Sequence, residues 1–275
     1  MISVIVSVFN GKATLQQCID SVLQQTCQNK QLIIIDGGSS DGTVELLNAN
    51  NERINYWASE PDNGIYHAWN KGLEQAKGEW ICFLGADDYF WDKHVLKRMA
   101  EYLKKIPEEI RVAYAQIMLV NAAGEDLYLV GEAWEKTKER FKQTMSIPHQ
   151  GVMHRRSLFE LHGKFDETFR IAGDYELLMR ELKTSDASFI PGMILAGMRQ
   201  GGASSTPHSS LVLLREIRRA QKIYGQRLPG LIWVMAVGRT YLRLLVWKIV
   251  GERQARKLLD AGRRIMGLPL YWTKT

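Results

Sequence analysis

Two adjacent carboxylates, Asp87 and Asp88, follow the apolar run Trp80-Ile81-Cys82-Phe83-Leu84-Gly85-Ala86. A continuous apolar run bounded by Gly78 and Gly85 reads as a strand buried on both faces. Ligands of open α/β sheets gather beyond the carboxyl ends of such strands. Two carboxylates there repel each other, and a hard cation shared with a phosphate relieves them. The competing reading is that they only start the next helix, since Asp is a good N-cap. Asp36 ends a second strand-like run, Gln31–Ile35, and faces the same edge, where a carboxylate can accept an N–H from a nucleobase. Asp174 stands in the first turn of a helix that buries Tyr175, Leu178 and Leu182 on one side. There a carboxylate is favoured by the helix dipole, and a plain cap is again the alternative.

The elements that must position these groups alternate at short spacing. Ile2–Phe9 reads as a buried strand ended by Asn10-Gly11, and residues 12–25 as a helix with Leu15, Cys18, Ile19, Val22 and Leu23 at helical spacing. After Gln31–Ile35, the segment Asp36-Gly37-Gly38-Ser39-Ser40-Asp41-Gly42-Thr43 turns sharply, and Asp41 caps a helix at 43–50. This segment fits neither an EF-hand loop nor a Walker A loop. Ile54–Ser59 is a third strand and Tyr66–Ala76 a helix carrying Asn70-Lys71-Gly72; the Trp80–Leu84 strand comes next. Strand–helix alternation of this kind predicts an α/β fold with a mostly parallel sheet flanked by helices. A helix over 92–105, a hairpin of Val112–Val120 and Asp126–Val130, a polar helix near 132–143 and a last strand at Ala187–Leu195 complete the body. A basic-edged loop, 199–204, ends it.

The net charge of +6 is unevenly spread. Residues 207–275 carry 14 Lys/Arg against 3 Asp/Glu, whereas residues 1–206 carry 22 against 27. This divides the chain into an acidic catalytic body, 1–206, and a basic helical extension, 207–275. No charge lies between Arg227 and Arg239, yet Leu231–Val237 is too short to span a bilayer. With Trp233, Tyr241 and Trp247 nearby, an in-plane helix on an anionic membrane is the favoured reading, and a helical hairpin packed on the body the other. No nucleic-acid recognition module accompanies the charge, so no nucleic-acid partner is expected. Three cysteines without metal-ligand spacing point to reduced thiols, and the start lacks the basic flank of a signal peptide.

Taken together, VSVFNG, SVLQQT, IIIDGGSSDGT, SEPDNGIYHAWNKG, FLGADD and GKFDETFRIAGDYELLMR resemble, in order and spacing over residues 1 to about 205, the family-2 glycosyltransferases with the GT-A fold. Enzymes of bacterial surface-polysaccharide assembly are the nearest in pattern. The resemblance implies a Rossmann-like GT-A sheet with a C-terminal helical extension. It implies that Asp36 binds the nucleobase of a nucleotide sugar, most often uracil, with Phe9 and Asn10 lining the nucleotide pocket. Asn70 and Lys71, of the N-x-G motif, join the donor site, with Trp69 where many relatives carry Arg. Asp87 contacts ribose or a donor hydroxyl, Asp88 binds Mg²⁺ or Mn²⁺ at the diphosphate, and Asp174 is the general base. Ala86 replaces the first Asp of D-x-D, and Gly173 replaces the first member of the usual Glu-Asp pair.

The expected reaction is transfer of one sugar per encounter, with inversion, because the processive Q-x-x-R-W motif is missing and no second carboxylate is placed as a nucleophile. His149, Arg155 and Arg199 are candidates to add positive charge near the diphosphate or to hold the acceptor, a structural hydrogen bond being an equal reading of His149. The expected acceptor is a hydroxyl of a glycan or polyprenyl-diphosphate-linked carrier, at the inner face of a bacterial cytoplasmic membrane. Two other classes compete: a sugar nucleotidyltransferase, which needs a phosphate-gripping Gly-rich loop that VSVFNGKATL does not supply, and a catalytically silent nucleotide-sugar scaffold.

Overall fold

The computed structural model describes residues 1–201, 207–265, 267 and 272–273. Residues 202–204 of the loop expected at 199–204 lie outside the described residues. The first half alternates strictly: β1 (Ile2–Val8), α1 (Lys12–Leu23), β2 (Lys30–Asp36), α2 (Thr43–Ala49), β3 (Tyr56–Ser59), α3 (Ile65–Gln75) and β4 (Trp80–Gly85). Then come β5 (Tyr89–Phe90), α4 (Val95–Leu103), β6 (Val112–Val120), β7 (Asp126–Val130), α5 (Trp134–Phe141), β8 (Val152–Arg155), α6 (Arg156–His162), α7 (Gly173–Leu182) and β9 (Ser188–Arg199). Three helices follow, α8 (Pro207–Ile223), α9 (Leu231–Val250) and α10 (Glu252–Ile265).

One sheet runs in the order β3-β2-β1-β4-β8-β6-β9-β5, with β7 paired to β6. The expected parallel arrangement holds from β3 to β4. Beyond β4 the sheet is mixed: β8 is antiparallel to both β4 and β6, β9 is parallel to β6, and β5 is antiparallel to β9. Strand β8 and helix α6 were not legible as elements, because four residues between a 3₁₀ turn at His149–Gly151 and a seven-residue helix carry no resolvable period.

Helices cover both faces, which is why the central strands are apolar throughout. Val4, Val6, Leu32, Ile34, Cys82 and Leu84 pack toward α1, α2 and α4. Ile5, Ile33, Ile35, Ile81 and Phe83 pack toward α3, α5, α6 and α7, and Ile217 and Ala220 of α8 join that core. Helix α8 is thus packed into the body rather than appended to it. Cys18 and Cys82 are buried free thiols.

Candidate active site

The turn after β4 carries the carboxylate pair. Gly85 ends the strand, and a Cβ there would lie 2.7 Å from Asp87 Oδ1 and 3.0 Å from Asp88 Oδ2, so the two carboxylates close over a bare backbone. The Gly85 N–H donates to Asp88 Oδ2 at 3.0 Å. No helix follows directly: β5 begins at Tyr89 and α4 only at Val95, so the pair caps nothing. Asp88 is buried, and that burial, with the Asp87 charge next to it, pushes its carboxyl up to about 8. Burial raises Asp87 as well, against the opposing pull of Arg199. Two adjacent carboxylates raised in this way are an arrangement that a divalent cation would favour in its ionised form.

Asp87, Asp88, Arg199, Gln150, His149 and Asp174 all line one pocket of about 590 Å³ at the carboxyl edge of the sheet. The rest of its wall is largely apolar, from Ile65 and Trp69 to Met145, Ile171 and Leu213. Asp174 enters on the second residue of α7. Burial pushes its carboxyl up to about 6, while the Tyr175 N–H donating to Oδ1 at 2.8 Å opposes the rise. Gly173 precedes it because the Tyr66 ring fills the space: a Cβ would meet the ring at 2.7 Å. The Tyr66 hydroxyl donates to the Ile171 carbonyl at 2.7 Å and reaches Asp174 Oδ1 at 3.4 Å. The acidic neighbour expected from the family pattern is thus replaced by an aromatic support.

Sequence reasoning missed the group that holds this loop. Glu216 of α8 accepts the backbone N–H groups of Arg170, Ile171 and Ala172, each at 2.8 Å, immediately before α7. Arg219, one turn on, donates to the Thr168 carbonyl at 3.2 Å and lies 4.1 Å over the Phe169 ring. The only signal in the sequence is an acidic residue in an otherwise basic segment, Leu214-Arg215-Glu216-Ile217-Arg218-Arg219.

Several expected site residues lie elsewhere. Arg155 is a correction: it pairs opposite Trp80 at the start of β4, the far edge of the sheet, stacks 4.6 Å over that ring and donates to the carbonyls of Ile106 and Pro107. Asn70 is consumed by structure, its amide oxygen accepting the Phe165 N–H and its amide nitrogen donating to the Phe165 carbonyl and Glu167. Lys71 is paired with Glu60 at 2.8 Å. His149 does line the pocket but is no source of charge: burial, then its neighbour His154, holds its imidazole well below the usual range.

At the nucleotide end, Asp36 is buried and receives the N–H groups of Gly38 and Ser39 at 3.2 and 3.0 Å, the Ser59 hydroxyl at 2.6 Å and the Ser39 hydroxyl. The carboxylate is thus already engaged by the turn that follows it. Asn10, with φ of 50°, clasps the same turn, its N–H donating to Ser39 and its side-chain oxygen accepting from Ser40. Phe9 beside it is 67% exposed. Asp41 accepts from Lys12 N–H and Thr43 N–H, tying the starts of α1 and α2 together.

Hard oxygen ligands on converging carboxylates fit Mg²⁺ or Mn²⁺. No three His, Cys, Asp or Glu side chains among the described residues are placed to hold a metal ion together, so a bound cation would take its remaining ligands from phosphates and water.

A family model described as glycosyl transferase family 2 matches residues 3–160. A PGL/p-HBAD biosynthesis glycosyltransferase from Mycobacterium tuberculosis is 32% identical over 184 residues, 66% of this chain and 69% of the relative. An uncharacterized glycosyltransferase from Rickettsia typhi is 27% identical over 247 residues, 88% and 76% of the two chains. Among solved structures, S. aureus TarS 1-349 in complex with UDP-GlcNAc superposes with a TM-score of 0.62 at 17% identity, covering 87% of this chain and 71% of that one. A longer TarS chain is spanned over only 42% of its length. The mannosyltransferase PcManGT from Pyrobaculum calidifontis, in complex with GDP-Man and Mn²⁺, has a TM-score of 0.62 at 15% identity, covering 94% and 75%. At these identities the structural likeness establishes the GT-A fold.

Proposed function

The chain belongs to glycosyl transferase family 2, and from that premise we propose that it moves a single sugar from a nucleotide donor to an acceptor hydroxyl with inversion. The observation that carries this reading is the meeting of Asp87, Asp88 and Asp174 in one pocket, each with a carboxyl raised by burial. Asp36 and Gly85 end strands that both flank β1, Val8 pairing with Asp36 and Ser7 with Gly85. Two strand spacings, about 10 Å, separate them, which suits a nucleoside at the β2 end with its diphosphate at the β4 end. Exposed Phe9 lies on that path and offers a ring face to the base. A UDP-sugar is the favoured donor.

Asp88 would hold Mg²⁺ or Mn²⁺, which when bound would offset charge on the departing nucleoside diphosphate, and Asp87 beside it would meet the ribose or a donor hydroxyl. Arg199 lines the same pocket and, held by the Ala122 carbonyl at 3.1 Å, adds a fixed positive charge on the Asp87 side. Asp174, ionised above about pH 6, takes the acceptor proton as the acceptor oxygen bonds to the anomeric carbon and the bond from that carbon to the diphosphate breaks. One displacement inverts the centre. Tyr66 and the Glu216 clasp fix the carboxylate's approach. The apolar wall suits an acceptor presented on a lipid carrier in surface-polysaccharide assembly at the cytoplasmic face of a membrane.

A panel of UDP-, GDP- and dTDP-sugars with a lipid-linked acceptor extract tests this. Nucleoside diphosphate release that needs Mn²⁺ or Mg²⁺ and disappears in Asp174→Asn is expected. Donor binding without release under all conditions would overturn it in favour of the silent scaffold, and pyrophosphate release from a nucleoside triphosphate in favour of the nucleotidyltransferase.

A further inference from the structure

Helix α9 turns a continuous apolar stripe away from the protein. Leu231, Met235, Leu242, Leu245 and Ile249 fall on one face at 3.6 residues per turn, and all are exposed, Leu231 and Ile249 at 71% each. Val234 and Tyr241 widen it and are also exposed. From Leu231 to Ile249 the stripe runs about 27 Å. The opposite face is fixed to the body: Trp233 Nε1 donates to the Leu214 carbonyl at 2.8 Å, Thr240 is buried, and Arg243 reaches Ser210 Oγ at 2.7 Å. The stripe's direction is therefore set by the fold.

Two exposed cations bracket it. Arg239 lies about 80° round the helix on one side of the Leu231–Ile249 line and Lys248 about 100° on the other. Exposed Arg253, Lys257 and Arg264 continue the charge along α10, beside exposed Leu258 and Ile265. No helix among the described residues is long and apolar enough to cross a membrane. An apolar face flanked by cations on both sides matches a bilayer surface, where hydrocarbon lies between anionic headgroups. A second copy fits poorly, because pairing this face would bring together two segments with 14 Lys/Arg and 3 Asp/Glu each.

We propose that α9 lies in the plane of an anionic membrane, with Leu231, Met235, Leu242, Leu245 and Ile249 in the acyl boundary and Arg239 and Lys248 on lipid phosphates. This surface goes beyond the transferase reading and stands without it. Its geometry does bear on that reading: Leu213, which lines the pocket, adjoins Leu214, to which Trp233 of α9 is bonded. Membrane-bound α9 thus sets the pocket wall beside the lipid.

The test is flotation of the full chain with phosphatidylcholine vesicles, with and without phosphatidylglycerol, at low salt. Wild type should float with the anionic vesicles only and be released by high salt. Leu242→Glu/Leu245→Glu should abolish flotation, and Arg239→Ala/Lys248→Ala should weaken it about tenfold, with helicity and turnover of soluble donor unchanged. Three results would each overturn the proposal: no flotation of wild type on anionic vesicles; flotation unaffected by Leu242→Glu/Leu245→Glu; or sedimentation showing a stable dimer that the same double variant dissociates. Because partitioning is read rather than turnover, failure here is distinct from failure of the transferase reading.

Discussion

Helix α7 carries two kinds of acid two residues apart, Asp174 half-buried and Glu176 buried. Asp174, in its first turn, faces a pocket and makes no ion pair among the described residues, and burial pushes its carboxyl up to about 6. Glu176 faces inward and is met by Arg180 Nε at 3.0 Å and by the Tyr224 hydroxyl. One turn further, Glu181, 1% exposed, meets Arg111 at 3.1 Å and His162 at 2.7 Å. The helix layer thus buries its carboxylates and completes each with a cation, whereas Asp174 stays half-buried and open to the pocket. Burial alone does not mark function; what sets Asp174 apart is a half-buried carboxyl open to a pocket that other acids share.

Removing the acids should separate the two regions. At the sheet edge, Asp174→Asn is expected to cut turnover about 10²–10⁴-fold while donor binding persists, read as single-turnover rates beside donor titration. In the helix layer, Glu181→Ala leaves Arg111 and His162 facing a void and should cost about 3–5 kcal/mol of stability in denaturant unfolding. Turnover per folded molecule should hold. If Glu181→Ala lost activity without losing stability, the division would break.

Glu216→Ala joins the regions, since it releases the three N–H groups before Asp174. A fall in turnover of about 10–100-fold with donor affinity kept is expected, because a loop displaced by about 1 Å misplaces the base. Glu216→Gln, which keeps an accepting oxygen, should recover part of it.

The smallest effects concern pH. Turnover should fall on acidification with a midpoint near 6, as Asp174 takes up its proton. The sign for stability is opposite. A folded-state carboxyl raised above its unfolded value makes the fold relatively more stable when protonated, and this contribution is lost as pH rises through about 6. Asp174→Asn should therefore be more stable than wild type at pH 8, by about 1–3 kcal/mol, and match it below about pH 4. Thermal melts at the two pH values check this.

Much of this was legible in sequence because it is local. The β1–β4 strands showed as apolar runs, and Asp87, Asp88 and Asp174 stood out as acids at element ends. What misled was chemistry whose partner is distant in the chain. Arg155 looked like a diphosphate cation, yet its neighbours across the sheet are Trp80 and the carbonyls of residues 106 and 107. Asn70 looked like a donor contact, yet its amide is spent on Phe165, 95 residues away. His149 offered an ionisable ring that the aromatic packing of Trp69 and Phe83 keeps neutral.

By itself the sequence determined the alternation of strands and helices, the edge at which the acids gather, and the charge divide between body and extension, because each is written in periodicity or composition. Only the tertiary structure decided which acids keep a counter-charge, which cations are spent on carbonyls, and which stripe of α9 stays uncovered. Those depend on groups brought within about 3–4 Å by packing, and one-dimensional spacing carries no record of such distances.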